Sequence, residues 1–205
     1  MQNKIFEETY KEYMMKINDI SLKAVSKTIG ASFEDDCLEI SLLNDVYKVY
    51  NSEITDQSGN KPSYDICIIL IKYILMCPDM PPEDEQWIAF RDFKDSAPLI
   101  KYFSSEVEGA ISSFFSEKSD QLKEAGTALG GFKPKLDVNY DIALQFNLLP
   151  RIPVILLFND KEDEFSSTAS VLFEKRAEKY LDAECLAIIG VRFFDSLKKA
   201  MMESQ

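Results

Sequence analysis

The sequence predicts a single α+β domain over residues 1–205, with a mostly antiparallel sheet and helices packed over it. Residues 152–158 form an apolar run of strand length between two turn signals, which is typical of a strand buried on both faces. Residues 141–146 alternate apolar and polar side chains, and the short proline-containing segment 148–151 joins them to that run as an antiparallel pair. Amphipathic helical patterns at both ends of the chain supply the layer that covers the sheet.

The first helix is predicted over about residues 3–28, where apolar side chains recur every three or four positions. Gly30 follows as its expected C-terminal cap. The apolar stripe, which we interpret as core, consists of Phe6, Tyr10, Tyr13, Met14, Ile17, Leu22 and Val25.

A β-hairpin is predicted next. Residues 38–42 alternate apolar and polar side chains, residues 44–45 (Asn-Asp) form the turn, and residues 46–50 return. The polar residues 51–62 are expected to form a loop.

A strongly apolar helix then begins at Ser63 or Tyr64 and continues to Cys77, where Pro78 ends it. Its apolar residues surround almost the whole helix, so only a few polar positions remain for solvent. We therefore expect this helix to pack centrally.

The middle of the chain is predicted to contain a strand over residues 87–93 and two helical stretches across residues 96–125. Gly126, Gly130 and Gly131 close this region. Three glycines could form a phosphate-binding loop, but they follow a helix and no Lys-Ser/Thr pair comes after them. Helix termination with a tight turn is the favoured interpretation.

The last part of the chain begins with an acidic turn over residues 160–164, which follows the buried strand. A second apolar strand is predicted over residues 169–173, and an amphipathic helix over residues 182–203. Asp182 is the expected N-terminal cap of that helix.

Composition excludes several classes of partner. The net charge of -12 argues against nucleic acid and anionic membrane surfaces, since both require a basic footprint. No apolar run approaches the roughly 20 residues of a membrane span, and the N-terminal residues lack a signal-peptide core. We therefore expect a cytoplasmic protein.

Cysteine and histidine usage narrows the possible chemistry. The four cysteines are dispersed, and none forms a C-x-x-C pair, which indicates buried thiols in a reducing compartment. We expect no zinc, iron or cluster site, because such sites draw on closely spaced pairs. The absence of histidine removes the commonest general base, the Ser-His and Cys-His pairs and most zinc hydrolase sites. No cofactor is identified by the sequence.

Three constellations could carry chemistry. The acidic turn 160–164 is either a solvated turn or a site for a metal or cationic ligand, although it lacks the calcium-loop pattern. Arg91 beside Asp92 is either a sheet-edge ion pair or a grip for a carboxylate or phosphate. Asp141 and Arg151 would form a structural pair if the hairpin over 141–158 brings them together. In each case the structural alternative is favoured.

An ordered set of motifs resembles one family. The set comprises Trp87-Ile88-Ala89-Phe90-Arg91, Leu129-Gly130-Gly131, Asp141, Leu149-Pro150-x-x-Pro153, Asp163-Glu164-Phe165, Val171-Leu172-Phe173 and Tyr180-Leu181-x-x-Glu184-x-Leu186-Ala187. It is similar to an uncharacterised bacterial and archaeal domain family of unknown function from anaerobes, over about residues 35–190. Members are sometimes fused to a small four-cysteine iron–sulfur domain of the type seen near corrinoid and carbon monoxide dehydrogenase proteins.

The chain departs from the family pattern in three ways. Glu174 stands where the pattern has Asp, Ser166 where it has Pro, and the four-cysteine module is missing. A direct iron–sulfur role is therefore not implied. The resemblance implies a cytoplasmic, anaerobic setting and, as partner, a small anionic ligand or an iron–sulfur or corrinoid protein.

The resemblance also implies a set of ligand contacts, namely Arg91, Gly130, Gly131 and Asp141. Glycines permit close backbone approach, arginine binds a planar anion with two hydrogen bonds, and a carboxylate can orient the arginine. If these residues meet around one concavity, that concavity is the expected ligand site.

Two classes of function remain. The first is a non-catalytic binding or accessory module for a small anionic ligand, a cofactor or a redox partner protein. The second is a carboxylate-based enzyme that uses Asp141, Asp163 or Glu164, with Arg91 or Arg151 as anion clamp. Two of those carboxylates converging in one cleft with a raised pKa would favour the enzyme.

Overall fold

Two four-stranded antiparallel sheets organise the chain in the computed structural model, which describes residues 2–136 and 138–203. The first sheet has the strand order β1-β2-β3-β4 and the second has the order β5-β8-β7-β6. The strands of the first sheet are β1 (Ser32–Glu34), β2 (Cys37–Leu42), β3 (Asp45–Val49) and β4 (Ile54–Thr55). Those of the second sheet are β5 (Trp87–Ala89), β6 (Ile142–Leu149), β7 (Ile152–Asn159) and β8 (Thr168–Glu174). With helices packed around both sheets, the predicted α+β class is confirmed.

The strand β7 lies inside the second sheet, as its apolar run predicted. It pairs with β6 on one side and with β8 on the other, so that Leu156 stands opposite both Leu144 and Val171. Every residue from 152 to 158 is buried. The antiparallel hairpin of β6 and β7 is therefore confirmed, and it forms the centre of the core.

The helices cover the sheets and pack against one another. They are α1 (Gln2–Asn18), α2 (Leu22–Ile29), α3 (Tyr64–Leu75), α4 (Ile100–Phe103), α5 (Ala110–Phe115), α6 (Ser119–Ala128) and α7 (Ala183–Glu203), with a π-helical segment (Ser104–Gly109) between α4 and α5. The apolar helix α3 is central as expected, with Ile69, Leu70 and Ile71 fully buried. Within the described residues, no helix combines the length and the apolar character needed to cross a membrane.

The single N-terminal helix predicted over residues 3–28 is wrong, because the chain forms two helices there. Ser21 separates them: its side chain accepts a hydrogen bond from the backbone N–H of Ala24 and starts α2 with a new cap. The predicted C-terminal cap is confirmed, since Gly30 takes the left-handed conformation with φ of 75°.

The predicted strand over residues 87–93 is too long. It ends at Ala89, and residues 90–92 form a 3-10 turn that the Asp92 carboxylate stabilises by accepting a hydrogen bond from the N–H of Ala89. Phe90 turns into the core and stacks on Phe103 with ring centroids 4.2 Å apart. Packing of this aromatic side chain thus overrides the strand pattern.

Two smaller differences concern the first sheet. The loop predicted over residues 51–62 contains β4, a short strand that pairs with β3. The hairpin turn lies one residue earlier than predicted, at Leu43 and Asn44, and Leu42 pairs with Asp45. The backbone N–H of Leu43 donates to Leu148 O at 2.8 Å, which holds this turn against β6.

Replacement of Leu156 by alanine should lower the free energy of unfolding by about 2–5 kcal/mol, because it deletes buried methyl groups and leaves a cavity in the central strand. Leu156 is 0% exposed. Chemical denaturation of the wild type and the variant measures the change.

Met202→Ala provides the control, because Met202 is 58% exposed and lies at the end of α7. It should change the stability by less than about 0.5 kcal/mol. A loss below about 1 kcal/mol for Leu156→Ala would contradict the central position of β7.

Candidate functional site

A pocket of about 650 Å³ lies between α1, α3 and α7. The helix α3 contributes residues spaced by four positions, which therefore share one face. Its lining residues are Thr9, Tyr13, Tyr64, Asp65, Ile68, Lys72, Asp182, Glu184, Cys185 and Ile188.

Each end of this helical pocket is marked by an ion pair between α3 and α7. At one end Lys72 Nζ lies 2.9 Å from the Asp182 carboxylate, and at the other end Asp65 pairs with Arg192 Nε. Because Asp65 and Lys72 are seven residues apart on one helix, the two ion pairs are separated by about 10 Å. The two helices run antiparallel, since the start of each pairs with a later part of the other.

Both carboxylate oxygens of Asp182 accept hydrogen bonds. One carboxylate oxygen accepts from the backbone N–H of Cys185 at 2.9 Å and the other accepts from Lys72. Burial acts to raise the pKa of Asp182, but these two hydrogen bonds outweigh it and lower the pKa. The predicted cap of α7 is therefore confirmed, and it also forms part of the pocket wall.

The middle of the pocket is apolar. Ile68 and Ile188 lie between the two ion pairs, and the Cys185 thiol is buried beside them. Burial raises the pKa of Cys185, so the thiol stays uncharged at neutral pH. Tyr13 closes the side formed by α1, and its ring lies 5.3 Å from the Lys72 ammonium.

Sequence reasoning did not find this pocket. The apolar stripe that includes Tyr13 predicts core, and the nearly all-round apolar pattern of α3 predicts central packing, so neither pattern indicates a pocket. The available signal was the pair of charged residues in that apolar helix, Asp65 and Lys72, which share one helical face.

A second, polar cleft of about 670 Å³ lies at the open end of the β6–β7 hairpin. Asp141 borders it, and its carboxylate accepts from the backbone N–H of Asp160 at 2.7 Å while its own N–H donates to the Asn159 side chain at 3.2 Å. The other lining residues are Tyr140, Glu162, Phe165, Ser166, Thr168 and Asn139. Asp141 therefore closes the open end of the hairpin.

The acidic turn divides into a structural residue and an exposed tip. Asp160 accepts from the N–H of Glu117 at 2.7 Å and from the Ser119 hydroxyl at 2.6 Å, which ties the turn to the start of α6. Burial acts to raise the pKa of Asp160, but these hydrogen bonds lower it overall. Asp163 and Glu164 are exposed and lie outside the polar cleft.

The expected pair of Asp141 and Arg151 is wrong. The hairpin places Arg151 at its closed end and Asp141 at its open end, eight residues of strand apart. Arg151 instead donates from its guanidinium to the carbonyl oxygens of Thr28 and Lys27, both at 3.1 Å. It caps the C-terminus of α2.

Arg91 and the glycine pair lie at opposite edges of the second sheet. Arg91 follows β5, the edge strand, and is near Glu108. Burial raises the pKa of Glu108, although the N–H of Val171 and the charge of Arg91 act to lower it. In the described part of the chain no ion pair joins Arg91 to Asp92. The sheet-edge pair expected there therefore does not form.

Gly131 packs beside the outer strand β6. A Cβ at this position would come within 2.7 Å of Gly126 O and of the Phe146 ring, so the site requires glycine. Gly130 has φ of 75° and ends α6, as the favoured interpretation predicted. The structure does not bring the glycines, Arg91 and Asp141 around one concavity.

No group of three or more cysteine or acidic side chains within residues 2–136 and 138–203 is placed to hold a metal ion. The helical pocket itself presents hydrogen-bonding groups at its ends and an apolar surface between them.

Replacement of Arg151 by alanine should lower the free energy of unfolding by about 2–3 kcal/mol, because two carbonyl groups at the end of α2 lose a charged donor. The free energy of unfolding of Arg151→Lys should lie between those of the wild type and Arg151→Ala, since an ammonium cannot reproduce the planar fork of the guanidinium. Lys23→Ala, an exposed position on the same helix, is the matched control, and denaturant titration measures all three. Equal stability of Arg151→Ala and the control would contradict the capping role.

Asp160→Asn should lower the stability by about 1 kcal/mol at neutral pH, a small value because the site is partly solvated. The folded pKa of Asp160 lies below its ordinary value of 3.8. The stabilisation by the Asp160 carboxylate is therefore present above that value and is lost as the pH falls through the folded pKa. Thermal unfolding from neutral to strongly acidic pH should show the two proteins converging only at the acidic end. Asp163→Asn, on the exposed tip, is the control and should have the stability of the wild type at neutral pH. If Asp160→Asn stayed less stable than the wild type by a constant amount down to the most acidic pH, the stabilising role of the Asp160 carboxylate would be refuted.

Neither the curated proteins nor the solved structures contain a match to this chain. The sequence profile of a domain of unknown function, DUF3786, matches residues 21–196, a wider span than the 35–190 expected from the motifs. With most of its length covered by this profile, the chain is a member of the DUF3786 family of domains of unknown function.

Proposed function

We propose that this chain is a non-catalytic, cytoplasmic binding or accessory module of anaerobic metabolism, which acts on neither nucleic acid nor membranes. The observation that carries the proposal is the helical pocket between α1, α3 and α7. Its volume of about 650 Å³ falls in the range of small-molecule sites. Its apolar middle and the polar groups at its two ends are the usual composition of such sites.

Among the ligand classes considered, the pocket fits a small molecule or cofactor better than a protein. It is a concavity about 10 Å long between three helices, which is too small for the surface of a stable protein interface. An iron–sulfur or corrinoid protein as partner rests on the family resemblance alone, and it would engage another surface.

The enzyme alternative has less geometric support. It requires two of Asp141, Asp163 and Glu164 to converge, but Asp141 is bound to the backbone of Asp160 and the other two project from an exposed tip. Arg151, one of the two proposed anion clamps, holds the end of α2. Burial raises the pKa of two other carboxyl groups, those of Glu108 and Glu174, but both residues lie outside the two clefts.

The proposal predicts that filling the pocket abolishes ligand binding without unfolding the protein. Protein purified without oxygen would be analysed by mass spectrometry for a retained small molecule, and a fragment library would be screened by protein NMR. Ile188→Trp places a large ring in the middle of the pocket and should weaken binding by at least about tenfold. Met15→Trp is the control, because Met15 is 62% exposed on the outer side of α1.

Two outcomes would contradict the proposal. One is that no fragment or retained molecule perturbs resonances of the pocket residues. The other is binding that Ile188→Trp leaves unchanged while the melting temperature of this variant stays within a few degrees of the wild type.

The ligand contacts implied by the family resemblance stay a prediction, and the same titrations test them. In Arg91→Ala and Asp141→Asn, loss of binding with stability kept within about 1 kcal/mol would assign the ligand to these residues and to Gly130-Gly131. Unchanged binding in both variants leaves the helical pocket as the site.

A further inference from the structure

Two ion pairs neutralise four charges at the ends of the helical pocket. Lys72 and Asp182 pair at one end, and Asp65 pairs with Arg192 at the other. These side chains are only 25–36% exposed, so water compensates poorly for a lost partner. An anionic ligand would have to break one of these pairs to gain a counter-ion.

A ligand anion is disfavoured at the Lys72 end. It would compete with Asp182 for the ammonium, and Glu184 at the rim of the pocket would repel it. A ligand cation gains little at Asp182, which already accepts from both Lys72 and the N–H of Cys185. Glu184, the lining carboxylate outside the ion pairs, is exposed to water that screens its charge. Neither ion pair offers a free charge of either sign.

Hydrogen-bonding capacity remains for an uncharged group. An ammonium carries three N–H donors, and Asp182 accepts from Lys72 once. A ligand carbonyl or hydroxyl oxygen can therefore accept from Lys72 without displacing Asp182. Beyond this end, Ile68, Ile188 and the uncharged Cys185 thiol provide an apolar surface toward Asp65.

We propose that the pocket binds an uncharged small molecule whose apolar body spans about 10 Å and ends in a carbonyl or hydroxyl group that accepts from Lys72. The inference rests on the proposed binding function and specifies the ligand class of the same pocket. It replaces the small anionic ligand that the family resemblance implied.

The test uses three probes built on one phenylbutyl skeleton, namely phenylbutanamide, phenylbutyrate and phenylbutylamine. Each is titrated into the full-length protein at neutral pH, and binding is followed through the NMR resonances of pocket residues. The neutral amide should bind at least about tenfold more tightly than the carboxylate and the amine.

Two variants make the charge argument specific. Asp182→Asn keeps a good helix cap but leaves Lys72 without its counter-ion, so phenylbutyrate should gain about tenfold over its affinity for the wild type. Lys72→Met frees Asp182, so phenylbutylamine should gain by about the same factor. The amide should change less than either charged probe in its respective variant.

Three results would overturn the inference. Binding of either charged probe to the wild type as tightly as the amide would mean that the pocket accepts a charged ligand, and the proposed binding function would stand. Failure of Asp182→Asn and Lys72→Met to change the preference would refute the role of charge neutralisation. If none of the three probes perturbs the pocket resonances, the ligand class is wrong, and the fragment screen decides separately whether the pocket binds ligands.

Discussion

The fold depends on the capping of one short helix by residues distant in sequence. The Tyr73 hydroxyl donates to the carbonyl oxygen of Ile29 at 2.6 Å and accepts from the backbone N–H of Arg151 at 3.0 Å. The Arg151 guanidinium donates hydrogen bonds to the neighbouring carbonyl oxygens of Thr28 and Lys27. The carbonyl groups at the C-terminus of α2 are thus satisfied by α3 and by the turn of the central hairpin, as a partly buried helix end requires. Because α2 leads directly into the first sheet, this junction also fixes that sheet against the second.

The parts of the fold that the sequence predicted are those encoded by local patterns. The buried strand β7, its hairpin with β6 and the Asp182 cap of α7 each follow from a few neighbouring residues. The break at Ser21 was missed because a cap hydrogen bond competes with a continuous apolar stripe. The role of Arg151 could not be predicted, since its partner Thr28 is 123 residues away and no local pattern links them.

The candidate site depends even more on contacts between residues that are distant in sequence. The motif of Arg91, Gly130-Gly131 and Asp141 is ordered in sequence, but its members serve three separate places in the fold. Arg91 lies at a sheet edge, Gly131 allows a close approach to Phe146, and Asp141 closes a hairpin. The helical pocket depends instead on the antiparallel arrangement of α3 and α7, which are more than 100 residues apart. Two charged residues in an apolar helix were the visible signal, and only the tertiary structure gives them partners.

The helical pocket is lined by elements inside and outside the family-matched region. Its floor, formed by α3 and α7, lies mostly within the family-matched residues 21–196, whereas α1 lies before them. The helix α1 packs on α3, its Met14 and Ile17 side chains are buried, and this packing places Tyr13 in the pocket wall. The ion pairs that neutralise the floor belong to the matched region, so the proposed exclusion of charged ligands rests on residues within it. The shape of the apolar space depends on α1, and the proposed ligand would be selected by the space that Tyr13 lines together with Ile68 and Ile188.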